Sequence, residues 1–108
     1  MTDKVVVLTT CGTQEEALRI ARQLVDRRLA ACVSVGAPVT SVYRWKEQVE
    51  EAAEIPLTIK SRRGLLPRLT AELRRLHSYE VPEILALPVA DGAPAYLDWM
   101  DRELESED

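Results

Sequence analysis

The chain has 108 residues, 46% hydrophobic and 30% charged, with 14 basic and 18 acidic side chains giving a net charge of −4. That length is one domain with one modest core, and the acidic balance argues against nucleic acid as a partner. Two cysteines, Cys11 and Cys32, are too few for a disulfide framework and wrongly spaced for a Cys-x-x-Cys pair, so reduced thiols are expected.

Met1-Thr2-Asp3-Lys4 shows none of the regions of a secretory signal, and no apolar run approaches the ~20 residues of a membrane helix. The expectation is a cytoplasmic protein with no membrane partner. Lys4 to Thr10 is a β-branched apolar run and reads as the first strand. Thr13 with Glu16 three residues later forms a capping box. It opens a helix with Ala17, Ile20, Ala21, Leu24 and Val25 on its apolar face, expected to end near Leu29.

Ala31 to Trp45 reads as a second strand, bent or bulged at Gly36-Ala37-Pro38 because proline cannot donate to a ladder. It turns through Lys46-Glu47-Gln48 into a third strand running from Val49 to Lys60. There Val49, Ala53, Ile55, Leu57 and Ile59 share one face, and Glu50, Glu54, Thr58 and Lys60 the other. Ser61 to Gly64 is a turn. Leu66, Leu69, Leu73 and Leu76 mark a second helix, with Pro67 tolerated in its first turn. His77 to Glu80 connects to a fourth strand, Val81 to Val89, and a third helix follows Asp91-Gly92-Ala93-Pro94. Its acidic end, Glu103 to Asp108, sits where the helix dipole prefers cations and is expected to fray.

The order β-α-β-β-α-β-α predicts an α+β fold, a ferredoxin-like βαββαβ sandwich with an unusually long hairpin and an extra C-terminal helix. Both crossover helices then pack on one sheet face. The first and fourth strands do not alternate, so their other face would put a contiguous apolar patch in water. Either a second copy covers it or the third helix folds across it.

Several functions of this topology are excluded by residue type. RNA-recognition sheets need aromatic residues on their central strands, and the first and third strands carry none. A heavy-metal domain needs a Cys-x-x-Cys pair, and an acylphosphatase needs an asparagine that this chain does not contain. No catalytic constellation is legible around the single histidine, so no enzyme activity is expected. Two features remain. Tyr43-Arg44-Trp45 at the hairpin tip has the composition of an interface hot spot. His77, with Glu80 or Glu83, supplies a nitrogen and a carboxylate that suit a divalent ion, copper(II) being highest in the usual affinity order. Cys11 and Cys32, or a neighbouring subunit, would have to complete such a site.

Ala30-Ala31-Cys32-Val33, Ser41-Val42-Tyr43-Arg44-Trp45-Lys46, Ile59-Lys60-Ser61, His77-Ser78-Tyr79-Glu80-Val81-Pro82-Glu83-Ile84, Leu87-Pro88-Val89 and Tyr96-Leu97-Asp98-Trp99 follow one another in a known order. In these runs the whole chain resembles the CutA divalent-cation tolerance family, departing at Ser78, where the family usually carries proline. The resemblance implies a homotrimer with PII-like architecture and hairpins reaching onto neighbouring subunits. It also implies a role in tolerance to copper or other divalent cations. Carried over by residue, His77 and Cys32, with Glu80, are the metal candidates. For an inter-subunit cleft that takes a small molecule or a protein partner, the candidates are Tyr43, Arg44, Trp45, Lys60, Tyr79, Glu83 and Trp99.

Overall fold

A computed structural model describes residues 1–106. Nine short elements alternate along them. They are β1 (Lys4–Cys11), α1 (Gln14–Asp26), β2 (Cys32–Val35), β3 (Val39–Trp45), β4 (Gln48–Arg62), a single 3₁₀ turn (Arg63–Leu65), α2 (Leu66–Leu76), β5 (Leu85–Pro88) and α3 (Pro94–Glu103). The sheet runs β2-β4-β1-β5, all neighbours antiparallel, with β3 pairing onto the far half of β4. With β2 to β5 taken in sequence and β3 set aside, this is the expected ferredoxin-like order.

The core lies between the sheet and the two crossover helices. Val5, Val7, Thr9 and Cys11 of β1 and Ile55, Leu57 and Ile59 of β4 meet Ile20 and Leu24 of α1 and Leu69 and Leu73 of α2. Thr13 caps α1 as the sequence predicts, its hydroxyl accepting the Glu16 N–H at 3.1 Å. The helix stops earlier than expected, at Asp26, because Arg28 takes a left-handed φ of 59° and turns the chain. Arg27 and Arg75 both pair with Glu72, tying α1 to α2. Lys4 is buried between Asp3 and Asp101, at 2.5 and 2.9 Å, which pins α3 to the first strand.

The second strand is divided. β2 and β3 both pair with β4, and between them Gly36, Ala37 and Pro38 stand opposite only Ile55 and Pro56. Gly36 is required there, since a Cβ would lie 2.9 Å from the Pro56 ring. Its N–H bonds the Pro56 carbonyl at 2.9 Å. Beyond this bulge β3 and β4 leave the body as an arm, and the chain measures 44 × 25 × 23 Å. Val49 keeps the parity of the core residues yet is 62% exposed, because no helix lies over the arm. Lys46 and Glu47, at φ of 50° and 68°, make the two-residue turn at its tip.

Three expectations are corrected. The turn at Ser61 to Gly64 begins later, because β4 stays paired to β1 through Arg62. The fourth strand is only Leu85–Pro88. Pro82 lacks the N–H a ladder needs, and residues 81–84 run aside as an irregular connector. The acidic end leaves the helix after Glu103, yet through residue 106 it is docked rather than loose. Leu104 is buried in the core, the Glu105 N–H bonds the Arg28 carbonyl at 2.8 Å, and Arg68 pairs with Glu105. Glu107 and Asp108 lie outside the described residues.

The open sheet face is part covered. Tyr96 of α3 reaches over it to Lys60, Nζ to hydroxyl 3.3 Å, while Leu85 and Leu87 remain 56% and 49% exposed. Among the described residues no helix is long and apolar enough to cross a membrane.

Candidate functional site

Side chains alternate along the arm, so Ser41, Tyr43 and Trp45 of β3 share a face with Glu50 and Glu54 of β4; Tyr43 is register partner to Glu50. The connector Ser78 to Glu83 forms the opposite wall, and Thr10 at the end of β1 closes the floor. Together they enclose a groove of about 740 Å³. Its lining carries four carboxylates (Glu50, Glu54, Glu80 and Glu83), three aromatic side chains (Tyr43, Trp45 and Tyr79), and no Lys or Arg.

The connector wall is anchored from beneath by His77, the cap residue of α2. Its imidazole is wholly buried. Nε2–H donates to the Thr10 carbonyl at 2.7 Å, and Nδ1 accepts the Tyr79 N–H at 3.2 Å. Both nitrogens are occupied in this neutral tautomer. Glu16 Oε2 lies 4.0 Å from Nδ1 and accepts the Ser78 N–H at 2.7 Å. Burial works to raise the Glu16 pKa, but its hydrogen bonds from Ser78 outweigh that and hold it below 4.5. Tyr79 crosses close above Gly12, where a Cβ would meet its hydroxyl at 3.3 Å. That hydroxyl donates to Glu54 Oε2 at 2.8 Å, which joins the two walls. Burial first, and then the Glu54 carboxylate, push the Tyr79 pKa well above its ordinary value, so it stays a donor.

The sequence candidates fall into two groups. Tyr43, Trp45, Tyr79, Glu80 and Glu83 meet at the groove, with His77 directly behind its connector wall. Arg44 is on the arm, opposite Val49, one residue out of phase with the groove face. Cys32, Lys60 and Trp99 lie at the other end of the molecule. Cys32 is register partner to Lys60, five residues along β4 from Ile55, the register partner of Cys11. Five strand residues span roughly 17 Å. Trp99 stacks against Tyr96, ring centres 5.4 Å apart, beside Lys60. Among the described residues no cluster of three or more His, Cys, Asp and Glu side chains has metal-site geometry.

Cys11 is buried 4.0 Å from the His77 ring, and burial pushes its thiol up to about 12. It is a core residue. Sequence reasoning did not single out Glu50, Glu54, Ser41 or Thr10. The signal for the first two was present, because residues 50 and 54 share parity on one strand with Tyr43 opposite. The fold of the connector onto Glu54 had no local signature.

The comparisons with known proteins agree with this architecture. The family described as CutA1 divalent ion tolerance protein matches residues 5–103. A divalent-cation tolerance protein CutA from Thermus thermophilus is 46% identical over 95 residues, covering 88% of this chain and 92% of that one. A solved structure described as divalent cation tolerance protein (Cut A1), from the same species, superimposes with a TM-score of 0.92 at 43% identity, over 94% of this chain and 99% of that one. Mouse protein CutA is 45% identical over 97 residues, 90% of this chain but 55% of its own, so the chain spans about half the length of its mammalian relatives. The family description and the Thermus names describe divalent-ion tolerance. Other relatives are named chloroplastic, in Arabidopsis thaliana, and periplasmic, in Archaeoglobus fulgidus, so the family is met in several compartments. The sequence runs, the fold and the matched span lead to one assignment: the chain belongs to the CutA1 divalent ion tolerance family.

Proposed function

We propose that the chain is a cytoplasmic, homotrimeric divalent-cation-binding protein that contributes to metal tolerance, with its cation contact at the connector around Glu80 and Glu83. The observation that carries this reading is the groove lining, four carboxylates with no basic side chain among them. Carboxylate oxygens bind divalent ions broadly, and copper(II) leads the usual affinity order. His77 joins such a site only by giving up its bond to Thr10 or Tyr79, and Cys32 only from a neighbouring copy. The half-exposed Leu85 and Leu87 support assembly, since an apolar patch of this kind is ordinarily covered.

Isothermal titration of copper(II), beside magnesium, tests the metal site. A Glu80→Gln, Glu83→Gln double variant is expected to bind at least about tenfold more weakly, and His77→Ala and Cys32→Ser report whether those residues join. Equal binding by all variants would sink the metal assignment. Light scattering on Leu85→Asp tests the assembly, which should fall apart; an intact trimer would place the interface elsewhere.

A second reading is favoured by the groove itself. Its volume falls in the range of small-molecule pockets, and its aromatic lining suits an organic ligand in the manner of a PII-like cleft. Tyr43, Trp45, Tyr79 and Glu83 then recognise the ligand, and Arg44, Lys60 and Trp99 take part only across a subunit boundary.

A further inference from the structure

The loop leading into α3 holds the chain's one Asp-Gly step, Asp91-Gly92. Residues 90–93 are exposed and belong to no helix or strand. The loop is tied at its two ends. Val89 bonds the Lys4 carbonyl and the Thr2 hydroxyl, at 3.0 and 2.7 Å, and the Ala93 carbonyl accepts the Tyr96 and Leu97 N–H groups. Between these ties the Gly92 N–H donates to Asp91 Oδ1 at 2.8 Å, and among the described residues it makes no backbone bond. The Asp91 carboxyl is thus folded back onto the next peptide nitrogen, the atom with which its Cγ would close a five-membered ring.

The other described aspartates lack this arrangement. Asp26, Asp98 and Asp101 are helical, and the N–H that follows each is committed to the helix ladder. The Asp3 carboxylate is held by the Lys4 ammonium at 2.5 Å, and the Lys4 N–H donates to the Thr2 hydroxyl at 3.0 Å. Each of these aspartates is also followed by a large side chain that crowds the nitrogen, whereas Gly92 has no Cβ.

We propose that Asp91-Gly92 is a site of spontaneous covalent modification, where aspartate isomerises to isoaspartate through a succinimide. The Gly92 nitrogen attacks Asp91 Cγ and the N–Cγ bond forms. The carboxyl's hydroxyl leaves with the amide hydrogen as water. Water then adds back at either imide carbonyl. Opening at Cγ restores aspartate; opening at the main-chain carbonyl leaves the chain running through Cγ, with a free α-carboxylate. Nothing is oxidised or reduced, and the mass is unchanged.

The isomer is one backbone atom longer just ahead of α3. Space there is tight, since a Cβ on Gly92 would lie 3.2 Å from Leu97 Cδ2. Leu97 shares the first turn of α3 with Tyr96, whose hydroxyl meets Lys60 on the open sheet face. Isomerisation therefore shifts the start of α3 and the cover that Tyr96 gives that face.

The full chain is held for weeks at neutral pH and body temperature, beside Asp91→Glu, Gly92→Ala and a free peptide of residues 88–96. Isoaspartate is counted by methyl transfer from S-adenosylmethionine under a protein L-isoaspartyl methyltransferase. It is placed by electron-transfer fragmentation, which distinguishes the two backbones. The label is expected at residue 91 and at none of Asp3, Asp26, Asp98 and Asp101. Asp91→Glu should abolish it, because glutamate must close a larger ring; position 91 is exposed, so that variant leaves the core untouched. Gly92→Ala, which sets a methyl beside the attacking nitrogen, should slow it at least tenfold, a barrier increase of about 1.4 kcal/mol. A folded chain free of isoaspartate at 91, while the peptide isomerises, overturns the proposal, because the fold then holds the loop out of the reacting geometry. A peptide and a chain that both stay unmodified overturn it too, as does equal label in the Asp91→Glu protein or at the other aspartates.

Discussion

The bond between Tyr79 and Glu54 joins the two walls of the groove, and its energetics are open to a double-mutant cycle. Tyr79→Phe deletes the donor at 2.8 Å and leaves the ring in place. A hydrogen bond to a charged acceptor contributes about 1.5–3 kcal/mol, and one to a neutral acceptor about 0.5–1.5 kcal/mol. Glu54→Gln keeps an acceptor oxygen but removes the buried charge, so Tyr79→Phe should cost roughly 1–1.5 kcal/mol less in that background. Glu54→Gln alone should change stability little, because the side chain keeps an acceptor for the Tyr79 hydroxyl and, among the described residues, gives up no ion pair. Urea unfolding followed by circular dichroism gives all four stabilities. Protein concentration must be fixed, since association couples stability to it. In thermal melts each kcal/mol should appear as roughly 4–8 °C in a chain of this size. Equal cost of Tyr79→Phe in both backgrounds, or a strongly destabilising Glu54→Gln, would refute a charge-strengthened bond between the walls.

Three further outcomes follow from the same structure. Replacing Lys46-Glu47 by Asn-Gly, which suit the two positive φ angles at the arm tip, should raise stability by about 1 kcal/mol; a loss on urea titration would mean the native turn is not strained. Ellman's reagent should label one thiol per native chain and none after Cys32→Ser, because Cys11 is buried with its thiol pushed up to about 12; rapid labelling of Cys11 contradicts this. Glu16 and Glu72 are both held below 4.5 when folded, Glu16 by Ser78 against burial and Glu72 chiefly by Arg75. Their stabilisation is therefore complete above that value and lost as pH falls below it. Urea midpoints should drop across that window, and Glu16→Gln should flatten the drop.

Much of the fold is legible in the sequence because its signals are local. The Thr13 cap, the leucine spacing of α2 and the alternation of Ile55, Leu57 and Ile59 each appear as read. The break at Gly36-Ala37-Pro38 was marked by proline and glycine. What failed was set by long-range contact. Val81 to Ile84 looks like a strand, but β1 pairs with β5 only from Val5 to Leu8. The acidic tail looks ready to fray, yet Leu104 finds the core and Glu105 finds Arg28. The candidate site divides in the same way. Tyr43, Trp45, Tyr79, Glu80 and Glu83 share a groove, whereas Lys60 lies six residues along β4 from Glu54 at the other end of the sheet, and the pairing of Cys32 with it is a long-range register that residue spacing alone does not carry.

The bulge at Gly36-Ala37-Pro38 has a consequence for what the groove recognises. Three residues there face two, so strand pairing before the bulge and after it differs by one step. Because a one-step slip turns every side chain to the opposite face, that single extra residue selects which half of β3 looks inward. With it, Ser41, Tyr43 and Trp45 stand beside Glu50 and Glu54. Were the Val35–Leu57 register to run on unbulged through the same residues, Val42 would stand opposite Glu50, and Thr40, Val42 and Arg44 would face the groove, a guanidinium among them. The chemistry of the groove thus rests on a register step: deleting one residue between 36 and 38 leaves two residues facing Ile55 and Pro56 and keeps Val39 opposite Glu54, whereas moving the extra residue from the bulge to the far end of β3 would turn Arg44 onto the groove face with no substitution in its lining.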